Sequence, residues 1–154
     1  MQINLKKYFL WLIFTTGILT AGAQNASKSN TKKPNSIIFI DGSFKDALKQ
    51  AAAQNKYIFV DAYASWCGPC QLLKATTFHD RKTADFYNGN FVNISIDMEK
   101  GEGPMLASAW GITAYPTLII FDAKGNALLG TMGYMGAADL IKFGKQAISK
   151  AAVN

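Results

Sequence analysis

Cysteine is scarce in this chain: among 154 residues there are two, Cys67 and Cys70. Small exported domains braced by disulfides carry more, typically about four to eight, and two cysteines three positions apart cannot staple distant parts of a fold. Histidine is scarcer still. His79 is alone, and with no second cysteine pair a single-chain zinc site lacks the ligands for its tetrahedral set. Neither a metal nor a cofactor is therefore expected. Long apolar runs are missing except for Tyr8 to Leu19, which is shorter than the roughly 20 residues that span a bilayer. The 16 Lys and Arg exceed the 10 Asp and Glu only modestly, without the basic stripe of a nucleic-acid binder. Gly101-Glu102-Gly103 is followed by no Lys-Ser/Thr and no G-x-G-x-x-G pattern, so it reads as a flexible loop and not as a phosphate cradle. There is no internal repeat, and the length allows one domain.

The amino terminus has its own layout. Lys6 and Lys7 precede the apolar stretch, and the small residues of Ala21-Gly22-Ala23 follow it. That order of segments is the pattern of a secretory signal peptide. It predicts cleavage after Ala23 and a periplasmic or secreted protein, with no cysteine next to the cut to carry a lipid. Removing residues 1–23 takes away Lys6 and Lys7 and leaves 14 basic against 10 acidic side chains. Residues 24–36 are polar and without an apolar period, which predicts a flexible leader before a domain spanning 37–152.

Within that domain Ile37 to Ile40 reads as a short first strand. Phe44, Ala47, Leu48 and Ala51 fall at helical spacing after Ser43, with Asp46 completing a relative of the capping box, so 44–54 reads as a helix. Tyr57 to Ala62 is a nearly continuous apolar run, the mark of a buried central strand, with Asp61 as the anomaly inside it. A helix is predicted from Pro69, in the first-turn position that proline tolerates, to about Asp85. Further strands are expected at 91–96, 117–121 and 127–131, and helices from Pro104 to Trp110 and over 137–151. The sum is an α/β fold: a central mixed sheet with helices on both faces. Chemistry in such a sheet lies beyond the carboxyl ends of its parallel strands. Cys67 stands just there, after the strand at 57–62 and at the start of a helix.

Disulfide exchange needs an attacking thiolate and a second thiol to resolve the mixed disulfide. A free thiol is only about 3% ionised at pH 7, and a helix N-terminus lowers its pKa. Cys67 is accordingly expected to be the exposed attacker, and Cys70, one turn into the helix, the buried resolver. Asp61 would accept the Cys70 proton through a buried water; the alternative is a carboxylate at the strand's end bonded to nearby backbone. Tyr115-Pro116 is a place where a cis peptide could occur, which would present the Tyr115 backbone to a substrate strand. His79 reads as a surface residue of the helix.

Trp66-Cys67-Gly68-Pro69-Cys70, Asp61 six positions earlier and Tyr115-Pro116-Thr117 before Leu-Ile-Ile-Phe resemble the thioredoxin superfamily in order and spacing, over residues 37–152. The resemblance implies the thioredoxin fold, a cis Pro116, a redox-active Cys67–Cys70 disulfide, a proton-relaying Asp61, and Trp66, Tyr115 and Gly133 at the substrate groove. Tyr63-Ala64-Ser65-Trp66, Thr77-Phe78-His79-Asp80 and Gly133-Tyr134-Met135 are similar to the periplasmic C-terminal domain of the disulfide reductases called DsbD. Two departures stand out. Asn93 takes the place where cytosolic thioredoxins carry a lysine near the buried Asp, and Tyr115 replaces the usual Ile. The resemblance implies a monomeric, exported disulfide reductase whose partners are protein disulfides and a membrane electron donor, with no role for nucleic acid. A net oxidase or isomerase, and a binding module without turnover, are the alternatives.

Overall fold

The computed structural model describes residues 34–153; the predicted signal segment and most of the leader lie outside them. The elements in chain order are α1 (Phe44–Gln54), β1 (Tyr57–Tyr63), α2 (Gly68–Ala75), a 3-10 turn (Thr77–His79), α3 (Arg81–Asn90), β2 (Phe91–Asp97), α4 (Gly103–Trp110), β3 (Thr117–Phe121), β4 (Ala127–Met132) and α5 (Ala137–Ala151). The strands form one mixed sheet in the order β2-β1-β3-β4, with β1 parallel to β2 and antiparallel to β3, and β3 antiparallel to β4.

β1 is central, and alternation along it divides the core in two. Ile58, Val60 and Ala62 pack with Ala47 and Ala51 of α1 and Leu106 of α4. Phe59 faces the other way, among Leu73 of α2, Ala84 and Tyr87 of α3, and Leu140 and Phe143 of α5. Helices thus cover both faces, which explains the unbroken apolar run of β1. The same geometry collects four chain segments at one end of the sheet. There β1 and β2 finish, tied by the Met98 N–H donating to the Tyr63 carbonyl at 2.8 Å. At that end β3 begins and β4 finishes, Thr117 pairing with both Ala62 and Met132.

Three expectations require correction. The strand at 37–40 is a single parallel bridge, Phe39 with Asn93. Its backbone groups are engaged elsewhere: the Ile37 N–H donates to the Phe78 carbonyl, the Ile38 N–H to Asn88 Oδ1, and the Ile38 carbonyl accepts from Asn93 Nδ2. The helix expected over 69–85 is three pieces. Thr76 leaves helical backbone at φ −121°, ψ −75°, with its hydroxyl bonded back to the Leu72 carbonyl. Asp80 then caps α3 by accepting from the Thr83 N–H at 2.8 Å. His79 ends the 3-10 turn, exposed. Finally, Gly103 is the buried first residue of α4 and not part of a flexible loop; any Cβ there would run into the Asp97 carbonyl.

Candidate active site

The loop after β1 delivers Cys67 to the N-cap of α2, in extended backbone, with Pro69 in the first turn. The Cys67 sulfur accepts from the Cys70 N–H at 3.1 Å. An N-cap acceptor that becomes negative is favoured by the unpaired amides and the dipole behind it, the ordinary physics of an acidic helix-capping thiol. The two cysteines are joined in a disulfide with Cα atoms 5.3 Å apart. Cys70 is buried, as its place one turn into the helix implies. Cys67 is buried too, at 3% exposure, against the expectation of an exposed attacker. Ala64, Tyr63 and Tyr115 pack around the pair. Trp66 stands over the same region, 67% exposed, its indole N–H donating to Glu99 at 2.9 Å and its ring edge-on to Tyr115 with centroids 6.0 Å apart.

The Tyr115-Pro116 peptide is cis, and the Pro116 carbonyl accepts from the Gly133 N–H at 2.7 Å. Gly133 adopts φ +95°, a conformation that favours glycine. Trp66, Tyr115, Pro116 and Gly133 therefore converge on the end of the sheet where the disulfide lies. The broken helix contributes as well: the Thr77 hydroxyl donates to the Met135 carbonyl, holding the loop after β4 against the end of α2.

Asp61 sits inside β1, not at its end, and is fully buried. By alternation it shares the Phe59 face. Its Oδ2 accepts from the Ser95 hydroxyl at 2.8 Å, while Oδ1 has no partner among the described residues. Burial pushes its pKa up to about 6; the Ser95 bond and the charge of Lys74 pull the other way. Asn93 does not serve Asp61. It pairs with Phe59 in the β1–β2 register, and its amide donates to the Ile38 carbonyl and Asn88. The residue opposite Asp61 is Ser95. Ser95, Glu99 and Lys74 are the site residues that sequence reasoning missed. Only the parallel register reveals the first, and only tertiary proximity the other two. Among the described residues no cluster of His, Cys, Asp and Glu could hold a metal ion.

A model of the thioredoxin-like domain matches residues 44–148. The chain belongs to the thioredoxin-like family. It is 31% identical over 120 residues to the thiol:disulfide interchange protein DsbD of Colwellia psychrerythraea, an alignment covering 75% of this chain and 19% of that protein. The chain thus spans about a fifth of the length of the DsbD relatives it matches. Over 95 residues it is 32% identical to the thioredoxin of Mycoplasma genitalium, covering 61% of this chain and 85% of that one. Among solved structures, a Bacteroides thetaiotaomicron protein assigned provisionally as a disulphide-isomerase is 39% identical at TM-score 0.68, covering 76% of this chain and 97% of its own. The oxidised C-terminal domain of Neisseria meningitidis DsbD, 20% identical at TM-score 0.59 over 73% of this chain and 99% of its own, shares the fold. This is a thioredoxin-fold chain of the thiol–disulfide oxidoreductase family, with its cysteine pair joined.

Proposed function

We propose that the protein is an exported protein-disulfide reductase working through the Cys67–Cys70 couple. In the reduced form the Cys67 thiolate attacks one sulfur of a substrate disulfide. The substrate's other sulfur leaves as a thiolate and takes a proton from solvent. Cys70 then gives its proton to the Asp61 carboxylate and attacks Cys67. The Cys67–Cys70 disulfide forms, the mixed disulfide breaks, and the substrate's second sulfur departs as a thiolate that takes a proton from solvent. Two electrons and two protons have passed to the substrate, and a dithiol donor must restore the pair. Trp66, Tyr115, Pro116 and Gly133, at the same end of the sheet as the pair, would hold a substrate strand.

One observation carries the direction. The Cys67 sulfur caps the N-terminus of α2, Gly68-Pro69 places no cation between the cysteines, and the helix's one basic side chain, Lys74, stands in its last turn. Over-stabilised thiolates make strong oxidants, and a site without a cation between its cysteines favours the reducing direction. Export rests on the basic-apolar-small order of residues 1–23, and the DsbD relatives support it. The disulphide-isomerase assignment of the 39% identical structure favours isomerisation as a second reading.

Insulin reduction driven by a chemical dithiol tests the assignment. The wild-type domain should accelerate it, Cys67→Ser should abolish it, and Cys70→Ser should accumulate a mixed disulfide on Cys67. A wild-type domain that binds insulin without reducing it would replace the reductase with a binding module.

A further inference from the structure

Asp61 is a buried carboxylate with one oxygen bonded and one unpartnered, and β2 offers it no cation, since Asn93 is engaged with Ile38 and Asn88. Helix α2 brings a cation to the same region. Lys74 leaves the last turn of α2, one turn beyond Cys70, and its ammonium stands 3.2 Å from the centroid of the Tyr63 ring. That ring packs against the cysteine pair. Lys74 and Ser95 also line one cavity of about 300 Å³, together with Ile37, Phe39, Phe78 and His79. The serine that bonds Asp61 and the lysine that rests on Tyr63 thus share a space with room for several waters.

We propose that Lys74 is a positioning residue for Asp61: its ammonium, anchored on Tyr63 at the cavity shared with Ser95, keeps the carboxyl ionised at neutral pH and ready for the Cys70 proton. The proton taken from Cys70 then leaves Asp61 by way of the Ser95 hydroxyl and water in that cavity. The proposal rests on Asp61 serving the cysteine pair. The groups acting on Asp61 are Ser95 from β2 and Lys74 from α2, and burial opposes both. On the neighbouring 3-10 turn, exposed His79 is the other titratable group lining the cavity.

The test is the titration of the Asp61 carboxyl carbon by NMR in the oxidised protein, where neither cysteine can titrate. In Lys74→Met, which keeps the stem over Tyr63, Asp61 should bind its proton between about threefold and tenfold more tightly. Lys74→Arg should restore the wild-type midpoint, and His79→Gln should leave it in place. In single-turnover reduction, Lys74→Met should slow release of the mixed disulfide at pH 7 and recover at higher pH, with attack by Cys67 unchanged. An Asp61 midpoint unmoved by Lys74→Met, or one that moves only in His79→Gln, would overturn the proposal. Failure of the reductase reading would show separately, as a wild-type protein inert towards insulin whose Asp61 still responds to Lys74.

Discussion

Asp61 is where chemistry and stability conflict most openly. Its folded pKa of about 6 lies above the ordinary 3.8. Between those values the native protein holds a proton that the unfolded chain has released, so stability falls as pH rises through this window and stays low above it. A rise of about two units, at 1.36 kcal/mol each, corresponds to a cost of up to about 3 kcal/mol at neutral pH and none below pH 3.8. Asp61→Asn should therefore stabilise the oxidised domain at pH 8 by up to about this amount and much less at pH 4, as read by urea unfolding at both. The same variant should slow turnover. A penalty equal at both pH values would mean that the carboxylate is satisfied and serves structure alone. The anomaly of Asp61 in an apolar strand was visible in the sequence. Its partner was not, because Ser95 and Asn93 lie on the same side of β2 and only the register separates them. Glu99, thirty-three positions from Trp66 and bonded to it, left no local signal at all.

At the scale of elements, helices and strands with their own caps and turns were readable. Ser43 and Asp46 close both halves of a capping box, which fixes the start of α1. Asp122 accepts from the backbone of Lys124 and Asn126, turning β3 into β4. The helix after Pro69 reads as continuous because Leu72, Leu73, Thr76 and Thr77 keep helical spacing, whereas the backbone breaks at Thr76 and Asp80. Asp80-x-x-Thr83 is itself a capping signal that the apolar spacing masked. The break has a use: it frees the Thr77 hydroxyl for Met135 and so fixes the loop that carries Gly133. Asp80→Ala should cost about 1 kcal/mol through the lost cap, measured by thermal or urea unfolding, and Asp80→Asn should retain most of it. Equal losses in the two variants would show that the cap contributes nothing. The bridge at Phe39 teaches a related lesson: an apolar run forms a strand only if its amides are not claimed by side chains, here those of Asn88 and Asn93.

For the whole molecule, the sheet order determines what meets what. Parallel β1 and β2 and antiparallel β3 and β4 bring the Cys67 loop, the Glu99 loop, Pro116 and Gly133 to one end, although they span much of the chain. Cys67 and Cys70 were legible because the motif is local; the cover over Cys67 was not, since the end of β1 (Tyr63), the loop after it (Trp66) and the loop before β3 (Tyr115) assemble it. What the assembled site is for depends on its direction. With one helix N-terminus beside the Cys67 sulfur and no cation between the cysteines, the proposed reductase should hold a comparatively stable disulfide. Equilibrating residues 24–154 against a glutathione series, and quantifying the Cys67–Cys70 disulfide, measures that balance directly. A reductase requires a potential below the roughly −180 mV of protein disulfide isomerase, and the site predicts such a value. A potential more oxidising than that would contradict it and make the protein a net oxidase or isomerase.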